Sequence, residues 1–420
     1  MMEKLQVYAD FDWLDAPALV GTLSHEMLRG TPSYGFSFDA EWLRSHRSVI
    51  LSGDLMNFSG NQYKSGEVFG CFSDAMPDRW GKRLIDKRER IKAEQERRIP
   101  KTFTDYDYLA QLDDFSRMGA FRFKQGDVFI GASEQDMRVP PLSSLREFVF
   151  MAHEYEKNEQ SGQSIKEEWL DNLFRQGSSL GGARPKANVL DERGHLFIAK
   201  IPSVSDDYDV ALWEHFAHVM AKKAGIHAAE TRLLKLDGVK YHTLLSRRFD
   251  RTDEGRRRHF ASALTLANLK DGDNASTGHG YLDIVDVIIG PTGMADTNAT
   301  LKELYRRVAF NICIGNHDDH FRNHGFLLGK KGWQLSPAYD LNPTNMTTQS
   351  LLVSSNTNES SLDILLDACE DYLIDPKEAE AIIQEVKQCF ANWRIIANQC
   401  QIPKSEQERF AQRISKCFAN

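Results

Sequence analysis

Asp318, Asn323 and Asp340 carry side-chain oxygens at a spacing suited to moving a phosphoryl group. In Gly315-Asn316-His317-Asp318-Asp319-His320-Phe321-Arg322-Asn323 an aspartate precedes an asparagine by five residues, and Tyr339-Asp340 follows downstream. Such chemistry asks for one carboxylate that faces the incoming hydroxyl. It also asks for an amide oxygen and a second carboxylate that hold Mg²⁺ against the phosphates. One tight loop can supply the first two. The third should arrive on a strand running back beneath the loop, and Gly325-Phe326-Leu327-Leu328, a Gly329-Lys330-Lys331-Gly332 turn and Trp333-Gln334-Leu335 read as the hairpin that delivers Asp340.

The interval from Asp318 to Asn323 is that of the H-R-D-x-x-x-x-N catalytic loop of protein kinases, where a further metal-binding Asp comes on the next strand. A cation for the phosphates has a candidate in Lys200, which ends the apolar strand Leu196-Phe197-Ile198-Ala199. The segment Ala211 to Gly225 puts Leu212, Phe216, Val219 and Met220 on one helical face and closes with a glycine cap. Glu214 within it is placed to pair with Lys200, the alternative being an exposed helix glutamate. Upstream, Gly177-Ser178-Ser179-Leu180-Gly181-Gly182-Ala183-Arg184-Pro185-Lys186 offers close backbone approach, two hydroxyls and two cations. It fits neither the Walker pattern nor G-x-G-x-x-G, and only its place just before the Lys200 strand distinguishes it from an ordinary turn.

These residues need elements to hold them, and 420 residues are too many for one ordinary core. Three segments are expected. Residues 1–100 read as a small mixed unit with strands such as Leu5–Ala9, closed by a basic helix from Asp78 to Arg98 that Pro100 stops. Residues 101–250 carry short strands and one helix around Lys200, as a kinase small lobe would. Residues 251–420 are mainly helical, with Leu301–Ile314 feeding the catalytic loop, a long helix from Lys377 to Ala397 and a capping box at Ser405-Glu406-Gln407-Glu408. The fold class expected is therefore α+β, a two-lobed protein-kinase-like fold with a β-containing N-terminal lobe and a mainly helical C-terminal lobe. The basic helix reads as a solvated face in preference to a nucleic-acid contact, and a net charge of −8 argues against a protein that binds nucleic acid over its whole surface. The six cysteines are scattered without a CxxC pair, as reduced thiols are. Without an apolar leader or a membrane-length apolar run, a cytoplasmic protein is expected.

Taken in order, several segments resemble the HipA family of bacterial toxin serine/threonine kinases. They are Val20-Gly21-Thr22-Leu23, Ser179 to Lys186, the Lys200 strand, Arg248-Phe249-Asp250-Arg251, His259 to Leu264, the Asp318–Asn323 loop and Tyr339-Asp340. The resemblance implies that Asp318 is the catalytic aspartate and that Asn323 and Asp340 bind Mg²⁺. It implies ATP contacts from Lys200, Gly181, Gly182, Ala183, Lys186 and Phe249, and autophosphorylation of Ser179, with Ser178 beside it, as an off switch. A phosphate there could pair with Arg184 or Lys186. It implies a small helix-turn-helix antitoxin of the HipB type as partner, with DNA reached mainly through that antitoxin, and an aminoacyl-tRNA synthetase as a target class. Asp319 and Arg322 depart from the Gly and Lys common in other members, and Arg247 from a Glu.

Two other readings are open to the sequence. His317-Asp318 with His320, His324 and a distant His279 could form a metal-dependent phosphohydrolase site. A catalytically weak kinase fold could instead serve only as a co-repressor for the antitoxin. Histidines beside such a loop are more commonly scaffold than ligand.

Overall fold

The structure, a computed structural model, describes residues 2–77, 79–132, 139–161, 173 and 184–416. By compactness the chain separates into Met1–Asp207 with Leu234–Ala261, and Tyr208–Leu233 with Ser262–Asn420.

The first unit contains a six-stranded antiparallel sheet. Alternating residues of β1 (Glu3–Ala9) put Leu5, Val7 and Ala9 into the core. With β2 (Ala18–Leu28), β3 (Thr31–Phe38), β4 (Asn61–Ser65), β5 (Phe121–Gln125) and β6 (Val128–Phe129), the order is β4-β3-β2-β1-β5-β6. The sheet thus takes its last two strands from beyond residue 100, and β1 pairs with β5 so that Val7 faces Phe123. Gly21 belongs here for a steric reason. A Cβ at that position would lie 2.3 Å from the Ser37 carbonyl oxygen of the neighbouring strand, so any other residue would push β2 and β3 apart.

A smaller antiparallel set carries Lys200. β7 (Lys186–Leu190) pairs with β8 (Leu196–Lys200), which pairs in turn with β9 (Thr243–Arg247). Beneath it lie α1 (Arg79–Gln95) and α2 (Leu145–Ser161), whose Trp80, Leu84, Phe148, Ala152 and Tyr155 share one core with Ala187, Val189, Phe197, Ala199 and Leu245. Each large side chain buried in this way contributes about 2 kcal/mol. The basic helix therefore earns its place through an apolar stripe. Its cations Lys82, Arg83 and, just beyond its end, Arg98 pair with Asp105, Glu159 and Glu89 at the surface.

The second unit is mainly helical, with α3 (Val210–Lys223), α4 (Tyr281–Ile289), α5 (Thr297–Ile314), α6 (Leu362–Asp367), α7 (Pro376–Phe390), α8 (Trp393–Gln399) and α9 (Lys404–Lys416). Its hairpin joins β10 (Gly325–Gly329) to β11 (Gly332–Leu335). Asp209 caps α3 by accepting from the Leu212 amide, and Gly225 in a left-handed conformation ends the turn that follows. The single helix expected from Lys377 to Ala397 is instead two, α7 and α8, broken at Ala391-Asn392. Positions three apart on one helix share a face, but Phe390 packs on Phe310 of α5 while Trp393 packs on Phe216 of α3. Two different neighbours require a break, and Asn392, a residue that favours helix ends, takes it. Among the described residues no helix is long and apolar enough to cross a membrane.

Candidate active site

The loop that carries Asp318 starts where α5 stops. Gly315 adopts a φ of 76°, open to glycine at little cost, and the Asn316 amide turns back to the Asn311 carbonyl. The loop is then clamped from the 344–350 segment. The Thr344 amide donates to the Gly315 carbonyl at 2.9 Å, and Ser350 donates to the His317 carbonyl from both its amide and its hydroxyl.

Asp318 and Asp319 are adjacent and have opposite surroundings. Asp319 is 2% exposed, and one of its oxygens accepts from the Tyr281 hydroxyl at 2.8 Å, the Asn311 amide at 2.8 Å and His324 Nε2 at 2.7 Å. Asn316 donates in turn to the Asn311 amide oxygen, which fixes that amide's orientation. Burial alone would raise the Asp319 carboxyl, but the His324 interaction and the hydrogen bonds bring it below its ordinary value. Asp318 is exposed, yet its carboxyl is raised. Partial desolvation is the largest cause, His320 opposes it, and the negative charges of Asp340 and Asp319 add to it. One aspartate anchors the loop and the other is presented by it.

Asn323 ends the short turn Phe321–Asn323, whose Phe321 is buried and whose Asn323 amide returns to the His320 carbonyl. Its side-chain nitrogen faces the Asp318 carbonyl at 3.5 Å, an orientation that leaves the amide oxygen as the available donor to a cation. Asp340 follows the hairpin. Its approach is pinned by Ala338, whose amide donates to His227 and whose carbonyl accepts from Ala229, and by Tyr339, whose hydroxyl donates to the Arg322 carbonyl. Asp340 itself has a φ of 58°, a left-handed geometry that aspartate tolerates better than most side chains. Two carboxylates close enough to raise one of them, with an amide oxygen on the same loop, are hard oxygen donors suited to a divalent cation such as Mg²⁺. The donor set fits that ion.

The phosphate-side candidates lie in the first unit. Lys200 ends β8, half-buried, and the register places Lys186 of β7 directly opposite it. Side chains opposite one another in an antiparallel pair share a face, so the two lysines stand on the same side of the sheet. Arg184 is engaged by Asp206 in a paired contact. Phe249 is half-buried against Phe260, with ring centroids 6.1 Å apart. Ser178, Ser179, Gly181, Gly182 and Ala183 lie outside the described residues. Glu214, in α3 of the second unit, is 3% exposed and accepts from Asn342, two residues past Asp340. It is not the exposed helix glutamate that was the alternative.

Two histidines of the phosphohydrolase reading, His324 and His279, have structural duties. His324 holds Asp319, and His279 faces Asp283 at 3.1 Å within α4 and its cap. Among the described residues no group of three or more His, Cys, Asp or Glu is placed to hold a metal ion. Asp319, Tyr281, Asn311 and the Lys186–Lys200 register are contributions that spacing in sequence did not expose. The nearest signal was the doubled aspartate.

Comparison with known proteins gives a consistent answer. Residues 178–393 match the HipA-like C-terminal domain and residues 13–105 the HipA N-terminal domain. A Haemophilus influenzae protein named "Putative kinase" is 26% identical over 183 residues, covering 40% of this chain and 52% of that protein. "Putative kinase Y4dM" of Sinorhizobium fredii is 30% identical over 161 residues, covering 35% of this chain and 37% of that one. The chain thus spans about half, or less, of the length of these curated relatives. Among solved structures, a chain from the Shewanella oneidensis MR-1 toxin–antitoxin complex of HipA, HipB and operator DNA superposes with a TM-score of 0.66 at 15% identity, covering 98% of this chain and 96% of that one. That likeness establishes the fold as the α+β, kinase-like one.

Proposed function

The chain belongs to the HipA family, and from that premise we propose that it is an ATP- and Mg²⁺-dependent serine/threonine protein kinase. Asp318 accepts the proton of the substrate hydroxyl as that oxygen attacks the γ-phosphorus, and the bond to the β,γ-bridging oxygen breaks, releasing ADP. Its raised pKa suits it to the task, because a carboxylate more basic than usual takes a proton more readily. Asn323 and Asp340 hold Mg²⁺, which when bound offsets the phosphate charge. Lys200 and Lys186, opposite one another on neighbouring strands, take the phosphate oxygens. Phe249 meets the adenine, and Gly181, Gly182 and Ala183 are assigned to the phosphates on the family resemblance alone. Autophosphorylation of Ser179 or Ser178 switches the enzyme off.

The observation that carries this reading is the loop geometry: Asp319, anchored by Tyr281, Asn311 and His324, presents the exposed Asp318, and Asn323 stands 3.5 Å from the Asp318 carbonyl. For partners, a HipB-type helix-turn-helix antitoxin that itself contacts DNA is proposed, with a protein serine, on an aminoacyl-tRNA synthetase as one target class, as acceptor. The test incubates the protein with γ-labelled ATP and Mg²⁺. Label should enter protein with the wild type and His317→Ala, and fail to do so with Asp318→Asn and Lys200→Ala. A hydrolase would release label as phosphate, depend on His317 and ignore Lys200. No turnover by the wild type would leave the co-repressor role.

A further inference from the structure

The mechanism uses Phe249 but leaves its neighbours without a role, and those neighbours form a buried ion cluster in the first unit. Asp250 is fully buried. Both its oxygens are held by Arg248, through Nε and Nη2 at 2.6 Å each, and it also accepts from Arg251 at 2.7 Å and from the Gly119 amide at 2.8 Å. A two-pronged bond between residues two apart in sequence folds the backbone into a tight turn with Phe249 at its apex. The flanking residues are buried while Phe249 stays half-exposed.

The rest of the cluster reaches into one stretch of chain. Arg248 donates to the Ser116 and Arg117 carbonyls and to the Asn188 side chain, and its own amide donates to the Leu196 carbonyl of β8. Arg251 donates to the carbonyls of Phe115, Arg117 and Gly119. Phe115–Gly119 leads directly into β5, so the turn is fastened to the N-terminal sheet. Gly119 takes a φ of 74°, and a Cβ there would lie 3.2 Å from the Phe260 amide nitrogen, against the residue whose ring packs on Phe249. Burial alone would raise the Asp250 carboxyl, but the two guanidiniums pull it well below its ordinary value. A buried ion pair of this kind is no more stabilising than well-packed apolar residues of similar volume. Its particular value is directional, since each bond fixes an atom in place.

We propose that Asp250, with Arg248 and Arg251, is a positioning device that fixes Phe249 for the adenine by tying its turn to Phe115–Gly119, so that the N-terminal sheet determines nucleotide affinity. The inference rests on the kinase reading given above. None of the three charged residues is assigned contact with nucleotide; each acts through the Phe249 backbone.

The test measures KM for ATP and kcat of autophosphorylation, together with thermal unfolding, for the full chain and two variants. Asp250→Asn keeps the shape and removes the charge. Arg251→Lys keeps a charge and loses the fork that holds the Phe115 and Arg117 carbonyls, and it serves if Asp250→Asn does not fold. Asp250→Asn should raise KM for ATP about tenfold with kcat within about threefold, and Arg251→Lys should raise KM about threefold with the same split. Unchanged KM with an active wild type, or a fall in kcat that merely tracks the lost folded fraction, would overturn the proposal while leaving the kinase reading intact. A wild type that neither binds nor turns over ATP would remove the kinase reading, and this inference with it.

Discussion

The loop Asp318-Asp319 and the turn Arg248-Phe249-Asp250 share a plan and differ in what anchors them. In each, a buried residue is locked by hydrogen bonds so that its neighbour is presented: Asp319 for Asp318, and Arg248 with Asp250 for Phe249. The loop's anchor is held by a hydroxyl, an amide and an imidazole from its own helical unit, none more than 38 residues away. The turn's anchor is held by full charges whose remaining donors reach across as many as 136 residues to the approach of β5. The acid loop is thus a property of the helical unit, whereas the aromatic turn depends on the N-terminal sheet. If Phe249 meets the adenine as proposed, this contrast gives the N-terminal sheet a part in nucleotide binding even though it holds no reacting group.

The distinction between presented and anchoring residues is broken most easily at the doubled aspartate. Asp318→Asn should slow phosphoryl transfer by about 10³-fold, within the range for loss of a general base, while stability measured by urea unfolding stays within about 0.5 kcal/mol. Asp319→Asn should cost about 3 kcal/mol, because it removes one member of a buried, hydrogen-bonded set and leaves the others short of a partner. If the two variants lost stability equally, the division of labour would be false.

How far the sequence reveals this division depends on distance along the chain. The loop and hairpin that carry Asp318, Asn323 and Asp340 were legible because the three residues are close in sequence and punctuated by glycines. The strand ending at Lys200 and the helix around Glu214 were legible from periodicity. What made Asp319 an anchor was Tyr281, and no local pattern announces a hydroxyl from another helix. The Lys186–Lys200 pairing needed strand register, which is set by the whole core beneath the sheet. The strands at Phe121–Gln125 and Val128–Phe129 joined a sheet begun at residue 3, a pairing that only tertiary packing reveals. The break at Asn392 came from two neighbours competing for Phe390 and Trp393.

Acid sharpens the comparison further. The Asp319 carboxyl is below its ordinary value when folded, so the unfolded chain takes up that proton first. Its stabilisation is present above the unfolded value and is lost as pH falls through the folded one. The gap in stability between wild type and Asp319→Asn should therefore narrow below about pH 4. A gap that stays constant from neutral pH to that range would contradict an ionised anchor.

A smaller effect is expected at Asp340. Replacing it with Asn removes the like charge facing Asp318 and keeps a side chain that tolerates a left-handed backbone. Stability should be unchanged or rise by up to about 1 kcal/mol, as happens when a functional site is relieved, and the Asp318 carboxyl should titrate lower, as read by carbon NMR of the aspartate side chains. An unmoved Asp318 would mean that the two carboxylates do not share a site.

The central claim, that Asp318 serves phosphoryl transfer, is tested most directly by the intact mass of the protein before and after incubation with ATP and Mg²⁺. Wild type should gain the mass of a phosphoryl group and Asp318→Asn should gain none. No gain by a wild type that starts unmodified, or an equal gain by both proteins, would contradict the account.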